Sequence, residues 1–153
     1  MTQITLETLI KAPSTNVFNL SLDIDFHKKS ASRTQEEAIA GITSGQIRMG
    51  ENVTWRGKHF GLWLTHTSVI SQYKAPSYCV DEMTAGKFKS FRHEHRFRES
   101  GNFTIMADVI SYEVPYGIVG AIFNNLILKK HLTKFIITRN LAIKNTLESQ
   151  NLL

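Results

Sequence analysis

Two histidines, His93 and His95, stand between Phe91 and Phe97, and the carboxylate of Asp108 follows across a short Gly-containing turn. Read as a strand, residues 91–97 put Phe91, His93, His95 and Phe97 on one face and Arg92, Glu94 and Arg96 on the other, because strand side chains alternate. Imidazoles between phenylalanines on a buried face add little to packing. They are what one expects where a few polar groups are set into the wall of an apolar cavity, the usual build of a small-molecule site. A hairpin centred on Ser100-Gly101 places Phe97 opposite Thr104, His95 opposite Met106 and His93 opposite Asp108, with Ile110 and Tyr112 continuing the inner face. A carboxylate beside His93 favours the imidazolium and fixes the ring. The pair His93–Asp108 is thus a candidate general acid or base, with His95 or Tyr112 polarising a carbonyl. A structural pair that fixes strand register is the equal alternative.

A second hairpin, centred on Phe60-Gly61, collects Val53, Trp55, His59, Leu64, His66, Ser68 and Ile70 on one face. The next strand adds Asp81 and Met83 if the turn at Ala85-Gly86-Lys87 has an odd loop. The concave side is then expected to carry His59, His66, Asp81, His93, His95, Asp108 and Tyr112 among Trp55, Phe91 and Phe97. So many buried polar groups must satisfy one another, hold water or meet a ligand. His59 lies near a turn, so the rim of a cavity is its other place. His-x-His beside a carboxylate is also a metal-ligand spacing, but no second tight ligand pair accompanies it, and the expectation is no metal. Asp23, Asp25 and His27 read as caps and turn residues. Cys79, the only cysteine, has no activating neighbours in the sequence and reads as a buried thiol. There is no Gly-rich phosphate loop, nucleophile elbow or cysteine cluster, so no cofactor is expected.

The elements that would position these groups follow from periodicity. Residues 3–10 alternate as a strand. Pro13-Ser14 opens a short helix through Val17 and Phe18, with Ser14 as its N-cap, and a second helical turn is expected over residues 20–29. Residues 36–113 read as strand after strand, broken at Ser44-Gly45, Gly50, Phe60-Gly61, Pro76, Gly86 and Ser100-Gly101, the pattern of an antiparallel meander. After Pro115, Ile118, Val119, Ile122, Phe123 and Leu126 recur at helical spacing, and Ile136, Ile137 and Leu141 resume the stripe. Lys129, Lys130 and Thr133 interrupt it, which predicts a kink or a place where the cavity reaches solvent, or lysines lying over a packed surface.

At 153 residues, 42% hydrophobic and 20% charged, the chain is expected to form one domain, residues 1–153, around a single core. No leading segment has the form of a signal peptide, no apolar run approaches the roughly 20 residues that span a bilayer, and the lone cysteine suits a reducing cytoplasm. A formal charge of +5 raises nucleic acid and anionic membranes as partners. The cations are scattered, however, and fall largely on outward strand positions, so a solvated outer face is expected, with neither nucleic acid nor integral membrane association.

The whole pattern resembles the START-like, or SRPBCC, superfamily, the helix-grip or birch-pollen-allergen fold. The resemblance rests on Ala12-Pro13 followed by Val17-Phe18, on Thr43-Ser44-Gly45, and on the run from Val53 through Trp55-Arg56-Gly57-Lys58-His59-Phe60 to Gly61. It continues through Asp81-Glu82-Met83, residues 88–97, Met106 and Asp108, and a helix ending in Arg139-Asn140. The similarity is to the bacterial branch labelled cyclase-like or cell-division-inhibitor-like. It implies an α+β fold with a curved antiparallel sheet of about six or seven strands wrapped around a long C-terminal helix, two short helices after the first strand, and a deep apolar cavity. It also implies a small hydrophobic or amphipathic ligand, such as a lipid or polyketide. Trp55, Phe91, Phe97, Met106, Ile122 and Leu126 would supply apolar contact, and His59, His66, Asp81, His93, His95, Asp108 and Tyr112 polar contact. The superfamily holds both carriers and enzymes, so a cofactor-independent cyclase, aromatase or dehydratase using His93 and Asp108 stands as the alternative.

Overall fold

The computed structural model describes residues 1–150. Strand β1 (Thr2–Ile10) leads into helices α1 (Ser14–Ser21) and α2 (Ile24–Ser30), a single 3₁₀ turn, and strands β2 (Glu37–Gly41), β3 (Asn52–His59), β4 (Leu62–Lys74), β5 (Tyr78–Ala85), β6 (Ser90–Ser100) and β7 (Phe103–Glu113). Helix α3 (Gly117–Phe123) runs through a π-helical turn (Asn124–Leu128) into helix α4 (Lys129–Gln150). The seven strands form one antiparallel sheet in the order β1-β7-β6-β5-β4-β3-β2. Its edge strands, β1 and β2, are consecutive in the chain, so α1 and α2 connect one edge to the other. Register shifts between Thr67 and Ser68 and between Ile70 and Gln72 break the β4–β5 ladder, and such irregularities bend and twist a sheet locally. The curved sheet grips the long helix, as the α+β reading requires.

The β3–β4 hairpin has the expected register, with Trp55 opposite His66 and Gly57 opposite Leu64. Phe60 and Gly61 form its turn at φ 53° and 77°, the left-handed pair that matches the twist of a two-residue hairpin. The β6–β7 hairpin differs. Its loop is Gly101-Asn102 rather than Ser100-Gly101, with Ser100 opposite Phe103. Gly101, at φ 61°, takes the first loop position, where only glycine adopts a positive φ without cost. Every partner therefore moves by two residues: Phe97 faces Met106, His95 faces Asp108, and His93 faces Ile110. Because the shift is even, the inner face keeps its residues.

Three helical details also differ from expectation. Pro13, not Ser14, caps α1 without a side-chain bond; Ser14 Oγ instead donates to Glu99 Oε1 at 2.8 Å. The second helix starts four residues late, at Ile24, where Asp23 accepts from the Phe26 amide. The C-terminal helix does not stop at Asn140 but continues to Gln150. Two apolar clusters make the core. One joins Ile10, Val17, Phe18, Phe97, Met106, Ile143 and Leu147; the other joins Ile4, Ile110, Tyr112, Leu128 and Ile136.

The π turn decides which face of α3 packs. In an unbroken α-helix, Ile118 and Ile122 would share a stripe with Ile136. The wider turn absorbs about one extra residue, and the buried positions upstream become Leu128, Asn124 and Gly120. Asn124 pins the turn: the Tyr112 hydroxyl donates to its Oδ1 at 2.6 Å, and its Nδ2 donates to Thr2 Oγ1 at 3.0 Å. Gly120 packs so tightly that a Cβ there would lie 1.9 Å from the Pro115 carbonyl oxygen. Gly120→Ala is therefore expected to destabilise the protein by about 1–3 kcal/mol, as overpacking does, although the same change in an open helix stabilises by about 1 kcal/mol. Urea denaturation measures the sign.

Candidate functional site

Between sheet and helix lies a cavity of about 220 Å³. Its walls draw on both core clusters, through Val53, Trp55 and Ile70 on one side and Ile110, Leu128 and Ile136 on the other. Of the residues singled out from sequence, Trp55, His59, His66, Asp81, Phe91, His93 and His95 line it. Phe97 and Met106 are on the same sheet face but buried in the adjoining core, where Phe97 packs edge-on against Phe18. Tyr112 is buried and committed to Asn124. Ile122 and Leu126, expected in the wall, are exposed on the outside of the helix, because the π turn rotates α3 away from the sheet.

Asp108 is completely buried behind the histidines. Its Oδ1 lies 2.8 Å from His93 Nε2, a hydrogen bond made diagonally across the ladder. His95 Nδ1 is 2.9 Å from the same oxygen but out of line, so it gains an electrostatic contact without a hydrogen bond. Oδ2 accepts from Asn140 Nδ2 at 2.6 Å, which ties α4 to the sheet. Burial pushes the Asp108 carboxyl up, but the histidine contacts outweigh it and hold the group well below the usual range. His95 goes the opposite way: burial, then the neighbouring His93, lower it to about 4 despite Asp108, so the ring is neutral. The side chains of His93, His95 and Asp108 are also the group, among the described residues, whose donor atoms converge within 4.8 Å as a metal ion would need.

Arg139 adds a cation to this end of the cavity. It is buried, and its Nη2 donates to the Ser21 carbonyl at 2.7 Å. Its Nη1 is buried without a partner, as is Oδ1 of Asp81, which sits directly opposite His93 on β5. Cys79, also in this region, is a fully buried thiol pushed up to about 12 by burial.

A second polar cluster lies towards the rim. His27 Nε2 meets Glu36 Oε2 at 2.9 Å, and His59 Nε2 meets Glu36 Oε1 at 3.3 Å. His59 Nδ1 is in turn 2.9 Å from His131 Nε2 on α4. Burial raises Glu36, but the bonds to His27 and His59 overcome it and bring the carboxyl to about 2. The His27 ring lies 4.2 Å from Trp55, and Phe60 packs 4.6 Å from His131. His59, expected on the concave face with the rim as its other place, lines the cavity within this cluster, whereas His27, Glu36, His131 and Arg139 are not expected in the site from sequence. His27 has the sequence context of a turn residue, and Glu36 falls just before a short edge strand with no alternation to orient it. The polar break in the helical stripe is the available signal for His131.

The outward strand positions carry the expected charged surface, with Arg56 paired to Glu37, Arg92 to Glu82 and Arg96 to Glu94.

No family model and no curated protein matches the chain. Solved structures do. The chain is similar to TTHA0849 from Thermus thermophilus, with a TM-score of 0.79 at 16% identity, covering 97% of this chain and 99% of that one. It is similar to ginseng major latex-like protein 151 from Panax ginseng, with a TM-score of 0.69 at 14% identity over 95% and 97% of the two chains. Ara h 8.0201 gives 0.70 at 10% identity over 97% and 98%. At such identities the likeness is one of fold.

The buried histidines make acid a specific threat. A folded pKa of about 4 for His95, against 6.5 unfolded, means that the unfolded chain binds the extra proton between those values, so stability falls as pH drops from 6.5 to 4. His66 and His131, lowered chiefly by burial, act in the same direction. Glu36 stabilises above 4.5 and loses that contribution as pH falls towards 2. Urea midpoints measured against pH are expected to decline below 6.5, and His95→Gln should flatten the upper part of the decline. A wild-type profile level between pH 6.5 and 4.5 would contradict a neutral buried His95.

Proposed function

We propose that this chain, which has the helix-grip fold of the START-like (SRPBCC) superfamily, binds a small amphipathic ligand between its sheet and C-terminal helix. One observation carries the reading: an apolar-walled cavity whose closed end holds buried polar groups without partners. A donor or acceptor left unpaired in the interior costs about 1–3 kcal/mol, and a ligand's polar head, met by small side-chain rotations, would offset that cost. Trp55, Phe91 and Ile110 would hold the apolar body, and Arg139, His93 and His95 the head. A volume of about 220 Å³, below the roughly 300–1,000 Å³ of drug-sized sites, favours a compact molecule over a diacyl lipid.

An enzymatic reading draws on a different observation. His93 lines the cavity while hydrogen-bonded to a buried carboxylate, the arrangement in which an acid orients a general base. A cofactor-independent cyclase or dehydratase would use that pair, and turnover of the ligand separates the two readings.

Native mass spectrometry of freshly purified protein, followed by extraction, is expected to release a small molecule with an apolar body and one polar end. His93→Phe and Arg139→Met should fold at lower stability, as circular dichroism and urea denaturation verify, and bind that molecule about tenfold or more weakly, the loss of one polar anchor. Unchanged affinity in both variants would remove the polar-anchor idea. Chemical change of the ligand, with a pH profile lost in His93→Phe, would establish the enzyme instead.

A further inference from the structure

The molecule also carries a broad apolar surface outside the cavity. Helix α3 and the π turn present Ile118, Val119, Ile122 and Leu126 to solvent, with Ile118 81% and Leu126 66% exposed. The tip of the β3–β4 hairpin extends the patch, since the Phe60 ring lies 5.4 Å from that of Phe123 and Leu62 is exposed near the same turn. Scattered exposed apolar residues are ordinary, but a contiguous group on one helix marks an interaction surface. It is built in rather than incidental: the π turn, held by Tyr112 and Thr2 through Asn124, is what turns this stripe outward.

The charge around the patch selects its partner. Residues 114–147 contain no Asp or Glu but carry Lys129, Lys130, Lys134, Arg139 and Lys144. Lys129, Lys130 and Lys134 are exposed and follow the apolar stripe directly, and Lys87 is exposed at the cavity edge. A second copy of this chain, packed about a two-fold axis, would bring the same cations against each other. An apolar stripe fringed by lysines matches the boundary between acyl chains and anionic headgroups. We infer that the α3–π-turn segment and the β3–β4 tip form a docking surface for anionic lipid bilayers. Docking is peripheral, as no helix among the described residues is long and apolar enough to cross a membrane. Phe60, Leu128 and His131, which border the patch, also line the cavity, so docking would set the cavity against the bilayer.

The test is flotation of the full chain with vesicles of phosphatidylcholine alone and of phosphatidylcholine mixed with phosphatidylglycerol, at low and high salt, with light scattering in parallel. Wild type is expected on the anionic vesicles, weakened by salt, with little on the neutral ones. Ile118→Glu combined with Ile122→Glu should reduce binding about tenfold or more, and Lys129→Gln with Lys130→Gln several-fold. Both pairs are exposed, and circular dichroism verifies their fold. His93→Phe should bind vesicles as wild type does, so this outcome is independent of the cavity ligand. Absence of wild type from anionic vesicles, or binding indifferent to both pairs of substitutions, would overturn the inference. So would a dimer in solution dispersed by the Ile118 and Ile122 changes, which would assign the patch to self-association.

Discussion

A carboxylate with no access to solvent must be solvated by the protein, and Asp108 draws its polar contacts from two elements beyond its own strand. His93 and His95 approach from β6, and Asn140 from α4. Removing one partner from such a group costs far more than the partner's net contribution, so the node fixes β6 against β7 and the helix against both. That constraint reaches the cavity. With Asp108 behind them and Arg139 near them, His93 and His95 have their rings held 3.8 Å apart in the wall, where flexible polar side chains would otherwise rotate towards one another.

The inner sheet face was legible from the period of two alone, because that period survives any even change of register. His95 and His93 stayed inside although their partners on β7 each moved by two residues. What alternation cannot supply is the position of a turn within a Gly-containing loop, which depends on which residue takes the positive φ. Helix direction was harder still. A stripe of Ile118, Ile122 and Leu126 continuous with Ile136 is sound α-helical arithmetic, and it fails here because a single π turn adds about one residue to the count. The cue was in the sequence as Lys129, Lys130 and Thr133 occupying the stripe. The polar run there marks the change of register that puts Ile122 and Leu126 outside, although polar residues at core positions are not always such a mark: Arg139 and Asn140 are buried on α4 with no break in the helix. Arg139 illustrates the limit: it stands on the buried stripe between Ile136 and Ile143, but its bond to a backbone carbonyl remote in sequence cannot be read from periodicity.

The same π turn links fold to surface. Helices that line a cavity usually present one apolar stripe to it, and this one presents two, on different sides and in different segments. The α4 stripe, with Ile136, Ile143 and Leu147, faces the core; the α3 stripe faces solvent. Two stripes on one helix need an insertion to separate them, and Asn124, whose amide is satisfied by Tyr112 and Thr2, makes that insertion a stable feature rather than a fluctuation.

The two polar clusters differ in a way that bears on how a ligand would lie. At the rim, Glu36, His27, His59 and His131 bond to one another in a chain of contacts and are partly open to water, so a polar head entering there would compete with contacts already made. At the buried end, Arg139 Nη1, Asp81 Oδ1 and His95 Nδ1 are without hydrogen bonds. The difference in unsatisfied capacity, more than the shape of the walls, would direct the polar end of a ligand inward and leave its apolar body between Trp55 and the helix. Among those groups the guanidinium of Arg139 is the only fixed positive charge, and the ionised Asp108 already has its donors. The end of the cavity therefore offers an unmet donor in Arg139 Nη1 and an unmet acceptor in Asp81 Oδ1, which suits a head that both accepts and donates, such as a hydroxyl, better than one that does only one of these.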